Sequence, residues 1–287
     1  MKNTKGEKIF YFFNYIFLAL LGVTTLFPFL NVLAKSLSSE KAVISGKVSV
    51  YPIGLQFGTY KYVFTNDQFL NSLKVSIFIT VVGTLVALAI TVFTAYPLSK
   101  PHLKGRKTIL LMYIFIMLFS GGLVPHYLLM REFHLLNTVW SLIIPAMVSV
   151  YNMLIIKNFF ESVPESLEEA ARIDGTSNFG VLFRILLPIA KPVLATIGLF
   201  YAVTYWNAFF EAMMYVSKPE LKPLQLYLYE LIKQSQKPIL DVDAALNLNS
   251  ESLQSATIIA STAPILVVYP FLQKYFVKGI IVGSVKG

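Results

Sequence analysis

Polar and apolar positions along this chain fall in long blocks. Six apolar stretches, about 9–34, 70–99, 108–130, 136–156, 186–210 and 253–277, carry no Asp, Glu, Lys or Arg in their central parts. As helices, each is long enough to cross about 30 Å of hydrocarbon. The pattern predicts an all-α polytopic membrane protein with six transmembrane helices, forming one membrane domain over residues 1–287. Lys74 lies near the start of the second stretch, where its stem can reach the interface. The first stretch, IFYFFNYIFLALLGVTTLFPFL, follows a short tail with Lys2, Lys5 and Lys8. It has no small-residue cleavage site and carries Pro28 beyond its centre, which favours a retained span over a signal peptide.

The connections differ in character. Residues 35–69 and 211–252 are long, polar and punctuated by Pro and Gly (YPIG, SKPELKPLQ), and are too polar to lie in lipid. Pro101–Lys107 is a short basic turn, and 157–185 reads as helix. With the N-terminus in the cytoplasm, 14 of the 24 Lys and Arg face inside and 9 face outside, whereas acidic residues run 6 inside and 9 outside. The net charge of +9 is therefore a topology signal that places both termini in the cytoplasm, not a nucleic-acid footprint.

Composition narrows the chemistry. The chain is 56% hydrophobic and only 14% charged, against roughly 25% charged in soluble domains. It lacks cysteine, which removes disulfides, thiolate metal sites and cysteine nucleophiles. His102, His126 and His134 are scattered without metal-ligand spacing. Gly105-Arg106-Lys107-Thr108 lacks the glycine loop of a phosphate-binding motif, so no ATP site is expected on this chain. No carboxylate lies mid-span to serve a proton relay or an intramembrane acid–base pair. The expectation is a protein that is not an enzyme, with no catalytic residue, metal or cofactor of its own.

The segment 161–185 is the anomaly. Ser162-Val163-Pro164-Glu165 has the form of a capping box with proline in the first turn. Leu167, Ala170, Ala171 and Asp174 follow at helical spacing, with Glu165, Glu168 and Glu169 toward the positive end of the helix. Asp174-Gly175 predicts the stop, and Ser177 the cap of a second short helix bearing Phe179, Leu182 and Phe183. Pro188 and Pro192 then start or bend the fifth span. Two short helices with a hinge should lie just below the cytoplasmic membrane face. Alanines beside a glycine leave a shallow surface for another backbone, and the flanking charges can register it. An amphipathic helix that merely caps the bundle is the alternative.

Glu169-Ala170-Ala171, three residues, Gly175, nine residues, Ile185, one residue, then Leu187-Pro188 resembles the EAA signature of inner-membrane permeases in binding-protein-dependent ABC importers. Nearly the whole chain is similar to the second permease of maltose-type and Gram-positive oligosaccharide transporters. KPLQLYL (222–228) and GIIVGSVKG (279–287) contribute to the likeness, although Gly283-Ser284 stands where Gly-Gly is common. The resemblance implies a type I ABC importer permease fold in a bacterial plasma membrane. It implies that Glu168, Glu169, Ala170, Ala171, Asp174, Gly175, Phe179, Leu187 and Pro188 couple the permease to an ATPase. The implied partners are a second, different permease, a dimer of ATPase subunits holding ATP and Mg, an extracytoplasmic solute-binding protein and a carbohydrate substrate.

Tyr201, Thr204, Tyr205, Trp206 and Asn207 in the fifth span, with Tyr151 and Asn152 in the fourth, are candidates for the substrate path. Aromatic faces beside hydroxyl and amide groups suit the apolar faces and hydroxyl rings of sugars. An aromatic belt at the outer interface explains the same residues, and both readings stand here. The glycines of Ser120-Gly121-Gly122 permit close helix packing or a break. The apolar run Leu224–Ile232 in the last outer loop predicts a stripe that a docking partner would cover. The function expected is half of the translocation pathway of an ATP-driven oligosaccharide importer. A stand-alone secondary transporter or channel is the alternative, and a membrane scaffold a more distant one.

Overall fold

The computed structural model describes residues 4–235 and 251–284, and every regular element among them is helical. Residues 236–250, within the stretch 211–252 expected as an outer loop, and the last three residues lie outside the described residues. Three helices are each long and apolar enough to cross a membrane: one within Lys5–Ser36, Asp67–Leu98, and the first part of Glu251–Ser284. At 32 residues, the first measures about 48 Å, longer than the hydrocarbon it would cross. Its start is a full capping box: Glu7 N–H donates to Thr4 Oγ1 at 3.3 Å, and Thr4 N–H donates to the Glu7 carboxylate at 2.8 Å.

The other three expected spans are broken. Arg106–Leu118 and Leu123–Glu132 are bent by 112° at Ser120-Gly121-Gly122. Gly122 takes φ +86° there, a conformation open to glycine, so the expected continuous span 108–130 becomes a short helix and a returning arm. Trp140–Ala146 and Val150–Ser162 meet at 51°. Pro145 removes a backbone donor in that region, and Ser149 restarts the helix by accepting from Asn152 N–H at 3.3 Å. Asn178–Ile189 and Lys191–Trp206 are bent by 83° at Ala190. If each bent pair is one crossing, the spans number six, as expected from the hydropathy.

The packing groups the chain into two compact units, where the sequence expectation is a single membrane domain. One comprises Met1–Leu70 with Leu228–Pro264, the other Asn71–Tyr227 with Ile265–Gly287. In the first, the polar stretch after the long helix is a small folded cap. Ala34, Ala42, Val43 and Val48 form its core, Ser39 N–H donates to Ile53 carbonyl (3.0 Å), and Asn31 Nδ2 donates to Ser49 carbonyl (2.7 Å). A Lys35–Glu251 ion pair ties the first long helix to the start of the last one.

The second unit has the larger core. Ile79, Ala87 and Ala95 of Asp67–Leu98 join Met153, Ile156 and Phe160, then Val181, Leu182 and Leu186, and finally Ile197, Tyr201 and Tyr205. Two glycines let its long helices cross closely. A Cβ on Gly83 would lie 2.7 Å from the Tyr205 ring, and one on Gly198 would lie 3.2 Å from Leu88. The chain after Tyr215 is pinned in the same unit by Asn137, whose Oδ1 accepts from Ser217 N–H (2.6 Å), Ser217 Oγ (2.9 Å) and Lys218 N–H (3.2 Å). Leu224 and Leu226 are buried, and Leu224 N–H donates to Ser76 Oγ at 2.7 Å. Leu224 and Leu226, at the start of the apolar run Leu224–Ile232, are therefore covered by the chain itself, whereas Tyr229 further along it is exposed.

Candidate functional site

The charged segment forms helices Glu165–Ile173 and Asn178–Val181, followed by a π-turn at Leu182–Leu186. Its start departs from the sequence reading. Ser162 is the last residue of the preceding helix and donates to Phe159 carbonyl at 2.7 Å, while Pro164 occupies the N-cap position. The extended Val163-Pro164 step explains this, because proline disfavours a helical residue ahead of it. The stop is as the sequence predicts. Gly175 takes φ +78°, with Gly175 N–H donating to Arg172 carbonyl (3.0 Å) and Thr176 N–H to Ala171 carbonyl (2.9 Å). Ser177 Oγ accepts from Gly180 N–H at 3.3 Å and starts the second helix.

The Glu-Glu-Ala-Ala run divides between two faces. Glu168 and Ala171 are buried, and Glu168 forms an ion pair with Lys100. Glu169 and Ala170 face outward, as do Arg172 and Asp174. Apolar side chains join that outward surface: Leu167, Ile173 at 86% exposure and Phe179 at 65%. A small residue amid charges and exposed apolar groups, on a helix fixed from behind, offers a shallow socket for a protein partner. Leu187 is partly buried against the core, whereas Pro188 is exposed and lies just ahead of the 83° bend. Beside the segment, Glu161 accepts from both Arg106 and Lys157, the latter at 2.8 Å, and Arg106 Nε donates to Leu98 carbonyl at 2.8 Å.

The aromatic candidates are placed differently. Tyr201 is 1% exposed, and its hydroxyl shares a 2.7 Å hydrogen bond with Thr91 while accepting from Ser149 N–H at 3.2 Å. Tyr205 is fully buried and donates to Ile143 carbonyl at 3.0 Å. Both hydroxyls are committed to the protein, so in this arrangement the two tyrosines join helices instead of facing a path. Trp206 is also buried, but its indole N–H finds no acceptor among the described residues. Asn207 is exposed at the helix end, with Nδ2 donating to Val203 carbonyl at 2.9 Å. Tyr151 is 62% exposed and Asn152 is buried, so these neighbours point to opposite surroundings.

Three residues of the site escape sequence reasoning: Lys100, Glu161 and Gly83. Gly83 has a signal, a lone glycine amid an apolar helix, which often marks a close crossing. The pairing of Lys100 with Glu168 has none, since 68 residues separate them. Among the described residues no cluster of His, Asp or Glu could hold a metal ion.

Comparison with known proteins agrees with this architecture. The protein LplC of Bacillus subtilis is 46% identical, covering all of this chain and 98% of the relative. YtcP of the same organism, a polygalacturonan/rhamnogalacturonan transport system permease protein, is 38% identical over the full length of both chains. A chain of a bacterial ABC transporter involved in the import of the acidic polysaccharide alginate superposes with a TM-score of 0.90 at 35% identity, covering 96% of this chain and 99% of that one. Residues 75–282 match the model of the inner membrane component of binding-protein-dependent transport systems, and this chain belongs to that family.

Proposed function

We propose that this chain is one permease half of an ATP-driven importer for an oligosaccharide. It would pair with a second, different permease, receive its cargo from an extracytoplasmic binding protein, and dock ATPase subunits that carry ATP and Mg. The observation that carries the ATPase role is the two-faced helix Glu165–Ile173: Glu168 and Ala171 anchor it inward, while Glu169, Ala170 and Ile173 remain available to a partner. Asp174, Gly175 and Phe179 complete that surface, and Leu187-Pro188 leads from it into the bundle. The saccharide class rests on the relatives, and uronate-bearing oligosaccharides are the first cargo to test, given the polymers handled by YtcP and the alginate transporter. Trp206 and Asn207 remain the path candidates on this chain, one with an indole N–H that finds no acceptor among the described residues and the other exposed.

The test is reconstitution of the chain with its partner permease, ATPase and binding protein in liposomes. Uptake should require ATP and the binding protein, and Ala170→Cys should cross-link to the ATPase. Uptake by this chain alone, without ATP, would establish a stand-alone carrier instead. Both termini are assigned to the cytoplasm from the charge asymmetry. Cysteines replacing Lys104 and Lys41, both exposed, should label from opposite faces of intact cells; labelling of both from one side would reject that topology.

A further inference from the structure

Beyond the core packing of Val181, Leu182 and Leu186 and the edge contact of Phe183 with Phe93, two joints of different kind connect the coupling segment to the rest of its unit. The covalent one runs through Ala190 into Lys191–Trp206, across the 83° bend and just after the π-turn. A push along one axis is poorly delivered through such an elbow. The other joint is electrostatic and involves a helix distant in sequence. Lys100 follows directly on the cytoplasmic end of Asp67–Leu98 and pairs with Glu168; their side chains are 16% and 7% exposed. The Lys100 ammonium also stands 4.9 Å from the centroid of the Tyr96 ring, whose edge meets Phe160. Next to this, Glu161 holds Arg106 and Lys157, and Arg106 caps the Leu98 carbonyl.

We infer that the Lys100–Glu168 pair is the positioning contact that delivers movement of the coupling segment to helix Asp67–Leu98. The inference rests on the docking role proposed above for Glu165–Ile173. An exposed pair would exchange partners with water and slip under load. A shielded pair resists separation, because each charge left alone in low dielectric loses its compensation. Glu168 and Lys100 therefore move together. The helix they move crosses Lys191–Trp206 at the Gly83–Tyr205 contact, deep in the bundle. Displacement at the cytoplasmic surface thus reaches the crossing of two spans by a route that bypasses the elbow. In this role Glu168 differs from its neighbour Glu169: one holds the bundle, the other meets the partner.

The complete importer in liposomes tests this. Glu168→Gln and Lys100→Met should retain assembly, basal ATP hydrolysis and the cross-link from Ala170→Cys. Substrate transported per ATP hydrolysed should fall about tenfold, a change within the usual range for coupling between two sites. A purely structural role would instead lower the amount of complex and leave that ratio intact. The exchange of Lys100→Glu with Glu168→Lys should recover most of the ratio. Should the single variants fail to assemble, Lys100→Met with Glu168→Leu keeps an apolar contact without the attraction, and it should assemble but remain uncoupled. Wild-type transport per ATP in Glu168→Gln, Lys100→Met or the apolar pair overturns the inference, as does an exchange that recovers nothing. Loss of the cross-link in the otherwise unaltered chain would reject the docking role itself, a separate outcome.

Discussion

The charged segment Glu165–Leu186 and the aromatic run Tyr201–Asn207 follow one another in the chain, and both have functional composition. The structure uses them in opposite ways. In the first, polar and apolar residues alike stand outward, with Glu169, Ala170, Ile173 and Phe179 exposed, while Glu168 and Ala171 turn in and Val181, Leu182 and Leu186 join the core. In the second, Tyr201 and Tyr205 turn in and spend their hydroxyls on Thr91, Ser149 and Ile143. A buried hydroxyl has to find a partner, and once it has found one within the protein it is withdrawn from a substrate. The lesson is that aromatic and polar composition identifies a site only when the structure leaves its polar groups unspent.

This contrast can be broken by experiment, starting with the strongest expected effect. Gly83→Leu should drive a side chain into the Tyr205 ring and prevent a stable protein, measured as loss of folded yield and of a cooperative thermal transition in detergent. A folded Gly83→Leu protein would show that the crossing is looser than the 2.7 Å approach indicates. Tyr205→Ala should follow, destabilising by about 3 kcal/mol through loss of a buried ring. Full stability with reduced uptake would return Tyr205 to the path.

The two alanines of the signature sharpen the comparison within the coupling segment. Ala171→Leu should destabilise the chain by about 1–3 kcal/mol through overpacking of its buried face, visible as a lowered Tm. Ala170→Leu should leave Tm unchanged yet abolish ATPase docking and uptake. Equal behaviour of the two would dissolve the distinction between the faces. Gly175→Ala should cost about 1 kcal/mol from its left-handed φ and lower coupled ATP hydrolysis, with Gly175→Pro far more severe. Tyr201→Phe leaves Ser149 N–H without its acceptor and should cost about 1 kcal/mol, with uptake per folded molecule unchanged. Smallest is Asn207→Ala: Tm should not move, so any loss of uptake there would place Asn207 in the pathway.

Much of this was legible beforehand for identifiable reasons. Gly175 and Ser177 were readable because caps depend on neighbours within a turn, and both stand where local chemistry puts them. Ser162 departs from the expected cap because a capping box and the last turn of a preceding helix look alike in sequence, and only the extended Val163-Pro164 step separates them. The broken spans were only half legible. Ser120-Gly121-Gly122 announced a possible break, but no sequence feature measures a bend of 112°. The stretch after Ser36 has the sequence of a polar loop, yet four small apolar side chains suffice to fold it into a cap.

By itself the sequence determined the solvent and the class. Long uncharged runs demand lipid, and backbone polar groups in lipid demand helices; the distribution of lysine and arginine supports the orientation proposed above. It also determined where the coupling segment starts its hinge, because Gly175 is a local necessity. It took the tertiary structure to turn Glu168 into the bundle and leave Glu169 exposed, and to make Tyr201 and Tyr205 joints between helices. Those assignments depend on Lys100, Thr91, Ile143 and Gly83, residues brought close by packing across long sequence separations. Periodicity records which way a residue faces along its own helix, but burial and pairing are properties of what the fold places opposite it.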